Sequence, residues 1–185
     1  MIKRNVSDDE VEALVLIRVH NVLSVASQII EAFISDSSEQ NAQTDFFTPP
    51  RSGPSKGRKS VRKRKSLSKA ITALYTIGSL VIVCPYADIS NVTPLLHTII
   101  TSGRSGPKIS KLPGPATSLQ QEAPSFYIQG WLTMGKLCLA DGKLAKNYIP
   151  LFVQELEKAD SAALRNNIVV TMADFCVRYT ALIDW

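Results

Sequence analysis

The octapeptide Gly130 to Leu137, GWLTMGKL, carries the glycine and lysine spacing of a phosphate-binding loop. In such a loop, backbone N–H groups cradle the phosphates, the lysine reaches the terminal ones, and a following Ser or Thr holds magnesium. Leu137 stands where that hydroxyl is required, and no strand-like run precedes the glycine. A second candidate, Gly53 to Ser60 (GPSKGRKS), has its glycines too close together. His20 and His97 lie in apolar helical stretches, with no carboxylate or cysteine at i±3 or i±4 to complete a metal site or an acid–base pair. They read as core or groove histidines. Cys84, Cys138 and Cys176 form no CxxC and sit in apolar surroundings, which reads as buried free thiols in a reducing compartment. No nucleophile elbow is present and the carboxylates are scattered over polar helix faces. The expectation is a non-enzyme with no catalytic residue, no metal ligand and no cofactor.

The remaining chemistry is charge. Thr48 to Lys69, TPPRSGPSKGRKSVRKRKSLSK, contains nine of the 21 lysines and arginines and no acid. Its two clusters are Lys56, Arg58, Lys59 and Arg62, Lys63, Arg64, Lys65. Three uses fit them. An import receptor can thread an extended basic chain. The same charges can sit on phosphates and release counterions, giving salt-dependent, sequence-blind DNA affinity. No aromatic interleaves the clusters, so base stacking is not indicated. A solvated loop with no partner is the plain alternative. Thr48-Pro49-Pro50-Arg51 matches a proline-directed kinase pattern with a basic residue at plus three, and Ser60 and Ser66 follow basic residues. Phosphate on Thr48, Ser60 or Ser66 would cancel part of the charge or order the segment.

The formal net charge of +5 is therefore local: without those nine charges, 12 basic residues face 16 acidic ones, a net of −4. A basic face over the whole body is not expected. Met1 to Glu10 is charged and lacks the apolar region of a signal peptide. The run Ala70 to Cys84 is too short to span a membrane. An intracellular soluble protein without membrane contact follows as the expectation.

The elements that must carry these residues are helical. Val11, Leu14, Val15, Val22, Ile29 and Phe33 recur at helical spacing over 9–35, and acids crowd its start where a helix dipole favours them. Residues 36–66 are rich in Ser, Gln, Pro and Gly and read as a disordered basic insertion. Helix resumes over 67–84 and stops at Pro85. Thr93-Pro94 reads as a cap and first turn for 94–102. Residues 103–124, dense in Pro and Gly, read as a flexible loop. Three segments follow: 125–140, capped by Ser125; 143–158 after an Asp141-Gly142 turn; and 161–183. They pair as 9–35 with 67–84, 94–102 with 125–140, and 143–158 with 161–183. A helix pair recurring at roughly 40 residues is the period of HEAT or armadillo arrays. The expected fold is thus an all-α, HEAT/armadillo-like helical-pair solenoid with two disordered insertions; a decorated four-helix bundle is the alternative.

The last pair has HEAT-like detail: Pro150 within its first helix, Asp160 in the turn, Leu164-Arg165 opening its second. Asp160 is expected to cap that second helix and Arg165 to reach a carboxylate or carbonyl between repeats. Trp185 ends the chain without a polar capping element, so a piece of a longer solenoid is expected.

Phe126 to Trp185 carries a GKLCL helix, then LAK…IP…ELE, then RNNIVVTMADFCVRYTALID. It resembles the D-type HEAT-repeat subunits of condensin, the condensin II form in particular and with plant-like wording; the likeness thins before residue 67. The resemblance implies a non-enzymatic subunit of a chromosome-condensing complex, nuclear and chromosomal. Its implied partners are a kleisin, the SMC ATPase subunits and DNA or chromatin, with an import receptor and a mitotic kinase as further candidates. No family active site exists to carry over. The rival reading is a HEAT adaptor of another class, such as a transport receptor or phosphatase scaffold, without DNA affinity.

Overall fold

Hydrophobic stripes at helical period account for every long element. The computed structural model describes residues 8–42, 56–102 and 119–180, with side chains at 10–36, 61–102 and 119–180. Helix α1 (Asp8–Ala42) turns Val19, Leu23, Ala26, Ile30 and Phe33 inward. Helix α2 (Lys56–Val83) buries Ala70, Ala73, Leu74, Ile77 and Val81. It ends before Pro85, which has no N–H to continue the ladder. Helix α3 (Val92–Thr101) buries Val92, Leu96, Ile99 and Ile100. A single turn, α4 (Leu119–Glu122), leads into α5 (Pro124–Ala140) with Pro124 in the first turn. Helices α6 (Gly142–Lys158) and α7 (Ala162–Arg178) complete the described chain, and Pro150 sits exposed within α6. No strand occurs among the described residues.

The helices form two rows. In one row α1 packs on α3, and α3 touches α6 through His97 and Tyr148. In the other, α5 packs between α2 and α7. Partners across the rows are α1 with α2, α3 with α5, and α6 with α7. This is the stacked-pair solenoid expected from the sequence.

Because α5 has neighbours on nearly every side, its residues are buried nearly all round. Gly130 and Gly135 permit that. A Cβ on Gly130 would lie 2.7 Å from Ile99 Cγ2, and one on Gly135 would lie 2.5 Å from Thr171 Cγ2. Both are closer than two carbons can sit, so a larger residue would push α3 or α7 away. Aromatic rings tie the layers together. Phe33 of α1 meets Phe126 of α5 with centroids 4.7 Å apart. Trp131, Phe152 and Phe175 run from α5 through α6 to α7 in edge-on contacts of 4.9 and 5.3 Å.

The structure corrects several local expectations. The segment 36–66 is not uniformly irregular: α1 continues to Ala42, and α2 starts at Lys56. Lys and Arg are strong helix formers, and no Pro or Gly follows Gly57 until Gly78. Residues 43–55 and most of 103–124, namely 103–118, lie outside the described residues. Helix α3 is led in by Asn91 rather than Thr93, whose hydroxyl instead donates to Ile89 O at 3.0 Å. Ala123, not Ser125, precedes α5.

By length and composition, Glu10–Asp36 and Val61–Val83 could each cross a bilayer. In α2 the stretch Ala70 to Val81 is instead used against α5 and α1. Helix α1 leaves Val11, Leu14, Ile17 and Val25 exposed on its outer face.

Candidate interaction surface

The basic run is placed on the first turns of α2. Lys56, Arg58, Lys59 and Ser60 belong to its backbone, and their side chains lie outside those described. Arg62, Lys63, Arg64 and Lys65 are exposed, and Ser66 is half-buried. Thr48 lies outside the described residues. At 100° per residue, Arg62, Lys65, Ser66 and Lys69 share one side of the helix. Lys63 instead continues the line of Ala70, Leu74 and Ile77, the face that packs on α5 further along. Further along α2 and on another side of it, Tyr75 is 58% exposed and carries Lys136 Nζ 5.0 Å from its ring centroid, a cation–π contact between α2 and α5. Sequence reading missed this pairing because its members are 61 positions apart.

The phosphate-loop candidate dissolves into packing. Gly130 and Gly135 serve helix contacts, Lys136 serves the Tyr75 ring, and Trp131 is buried. His20 and His97 are separate and exposed, and no group of three or more His, Cys, Asp or Glu that could hold a metal occurs among the described residues. The cysteines are free, but only Cys138 is buried; Cys84 is half-buried and Cys176 exposed. Burial pushes the Cys138 thiol far above its ordinary value.

Asp160 and Arg165 meet, though not as expected. Arg165 Nη1 donates to Ala159 O at 2.6 Å and to Asp160 O at 3.1 Å, bracing the turn of its own pair rather than reaching to another. Ser161, not Asp160, caps α7, accepting from Leu164 N at 3.3 Å. The extended backbone at Ser161 aims its side chain at the free N–H groups. Asp141 does the same for α6, accepting from Lys143 N at 2.8 Å and Leu144 N at 3.3 Å.

Polar links lock the stack. Thr133 Oγ1 donates toward Leu74 O at 3.0 Å, tying α5 to α2. The Tyr127 hydroxyl donates to the buried Glu155 carboxylate at 3.0 Å. The Tyr179 hydroxyl reaches Cys138 O at 2.7 Å and Leu139 O at 3.0 Å, closing the end of α5. At that end, Val81, Ile82, Pro85, Leu139 and Val177 line an open depression of about 500 Å3.

Stacked helix pairs joined by buried apolar layers, with the dense basic run set on one helix, define a HEAT-type scaffold. A family model for condensin-2 complex subunit D3-like HEAT repeats matches residues 67–156. The chain is 51% identical over 183 residues to the condensin-2 complex subunit CAP-D3 of Arabidopsis thaliana, covering 98% of this chain and 14% of that protein. It is 29% identical over 124 residues to the condensin-2 complex subunit D3 of Mus musculus, covering 62% of this chain and 8% of that protein. It is 33% identical over 121 residues to the condensin-2 complex subunit D3-L of Xenopus laevis, covering 60% and 8%. The chain belongs to the condensin-2 D3 family of HEAT-repeat subunits, on its plant-like side. It spans 14% or less of the length of these relatives. No solved structure matches it.

Proposed function

We propose that this chain is a non-catalytic segment of a condensin II scaffold that contacts DNA through the start of α2 and holds other condensin subunits through its helix rows. The observation that carries the DNA reading is the exposed run Arg62 to Lys65 on a body that is otherwise net acidic. Fixed on a helix, these charges follow a phosphate backbone without having to be ordered on binding, so less conformational entropy is lost. Import remains the second reading. A receptor that threads an extended chain would first have to unwind the turns that begin at Lys56.

The kleisin and the SMC ATPases are the partners expected of such a scaffold, and nucleus and chromosomes its place. A mitotic kinase acting on Thr48, Ser60 or Ser66 would set its DNA affinity. The outer face of α1 and Val169, Val170 and Val177 of α7 suit further helix pairs stacked on either side, in keeping with relatives of several times this length.

Duplex DNA binding by fluorescence anisotropy across a salt series tests the reading. The intact chain should bind with steep salt dependence. Alanine at Arg62, Lys63, Arg64 and Lys65 should flatten the slope by about 2 to 3, at about 0.9 for each residue that reaches a phosphate, since Lys63 turns toward α5. Equal, weak binding by both would leave the scaffold without a DNA grip at this run and favour the adaptor reading.

A further inference from the structure

Between α1 and the loop joining α2 to α3 lies a depression of about 230 Å3. This is below the roughly 300–1,000 Å3 of sites that take cofactors or drug-sized ligands, and suits a single long side chain. Its charge is one-sided. Glu31 stands on the α1 wall and Asp88 on the loop wall, no lysine or arginine lines it, and His20 on α1 is its one basic group. Asp88 is fixed in place, since its Oδ1 accepts from Ser90 N at 2.9 Å. That bond holds its carboxyl below the ordinary range, so the group stays ionised.

A second observation is independent of the acids. Ser27, on the same wall, is only 7% exposed, and its Oγ has no hydrogen-bond partner. Buried hydroxyls are nearly always paired, and a serine within a helix ordinarily has its own i−4 carbonyl available. An unsatisfied hydroxyl on the wall of an acidic depression has acceptor capacity left for a group from outside. Gln28 offers a further amide acceptor, while Leu23 and Val92 give an apolar floor for methylenes.

We propose that this depression is a recognition pocket for one arginine side chain presented by a partner protein. A guanidinium has five donors in a planar fork and no acceptor, which matches acceptors on two facing walls; a lysine ammonium is a compact point charge and uses fewer of them. The stem lies along Leu23 and Val92, and the head bridges Glu31 and Asp88 with an N–H toward Ser27. The pocket is built from α1 and the α2–α3 loop and does not involve the basic ridge, so it stands whether or not that ridge binds DNA.

The test is a two-dimensional amide NMR titration of the protein with N-acetyl-arginine methylamide. The neutral citrulline analogue, which has the same length and shape, is run beside it. Arginine should shift the amides of Ser24–Glu31 and Asp88–Val92, and citrulline should bind at least about tenfold more weakly, since charge-assisted bonds are the stronger ones. Glu31→Gln and Asp88→Asn, both at exposed positions, should each weaken arginine binding about fivefold to tenfold. Ser27→Ala should weaken it about twofold to fivefold, and Glu157→Gln on α6 should change nothing. Unchanged dispersion of the remaining amides would show that each variant is folded. The proposal is overturned if arginine and citrulline bind alike, if the shifts fall elsewhere, or if the folded Glu31→Gln/Asp88→Asn variant binds as tightly as the parent.

Discussion

The Tyr148 hydroxyl lies 3.1 Å from His97 Nδ1, with the two rings meeting edge to face at 5.8 Å. This pair joins α6 to α3 and so couples neighbouring helix pairs along one row. Burial pushes the Tyr148 phenol above its ordinary value of 10.0, and burial does the same at Tyr179. A phenol whose folded pKa is raised favours folding while it is neutral. That contribution is complete below pH 10.0 and is lost as pH rises through the raised folded values. Thermal melts should therefore hold steady on this account up to pH 10.0 and fall above it. The Tyr148→Phe/Tyr179→Phe variant should begin lower, because its hydrogen bonds are gone, and show a shallower alkaline fall. An alkaline fall as steep as the parent's would remove these two tyrosines as its source.

Gly135 is the second joint. A methyl there would meet Thr171 Cγ2 at 2.5 Å, so Gly135→Ala should destabilise the chain by about 1–3 kcal/mol through overpacking. Helix propensity works the other way, since alanine is favoured over glycine by about 1 kcal/mol in a helix interior. Thr171→Ser removes the clashing methyl and keeps the hydroxyl that donates to Asn167 O at 2.9 Å. In that background Gly135→Ala should be close to neutral or stabilising. Urea denaturation of the four chains of the cycle measures this; equal cost in both backgrounds would mean the contact is not what excludes a side chain.

The caps show where sequence reading reaches its limit. Helices α5, α6 and α7 are legible because their apolar stripes repeat at helical period, and the condensin-like run lies on them. The turn before α7 was legible only to within one residue. Asp160 and Ser161 are both good capping types, and the choice depends on backbone angles that no local pattern reveals. The basic run was misjudged for a different reason. Low hydropathy argued for disorder, while the same lysines and arginines carry high helix propensity. The Lys136–Tyr75 and Tyr179–Cys138 contacts were out of reach, because pairing across distant positions leaves no periodic trace.

The cap assignment has a direct consequence for stability. Ser161→Ala should cost about 1 kcal/mol by removing the acceptor for Leu164 N, and Asp141→Ala should cost about the same or somewhat more. Asp160→Ala should stay within about 0.5 kcal/mol, since Asp160 contributes its backbone carbonyl to Arg165 and keeps it in the variant. Chemical denaturation separates the cases. A larger loss at Asp160 than at Ser161 would reinstate the aspartate as the cap.

Placing the basic run on a helix also changes what single substitutions at Arg62 to Lys65 should do. In an extended chain each residue reaches phosphate equally well, so alanine at any position should lower the salt slope by about the same amount, near 0.9. On α2, Arg62, Lys65 and Lys69 form one stripe, while Lys63 lies on the side that turns toward α5. Arg62→Ala, Lys65→Ala and Lys69→Ala should each flatten the slope by about 0.9, and Lys63→Ala by much less. A negative charge at Ser66, in the middle of that stripe, should weaken binding more than the same charge at Ser68, which is displaced toward Tyr75. Mutational Ser66→Asp and Ser68→Asp chains measured in the same salt series decide the point. Equal effects at all four basic positions, and at both serines, would mean that the run meets DNA as an unfolded strand and that α2 begins later when it does.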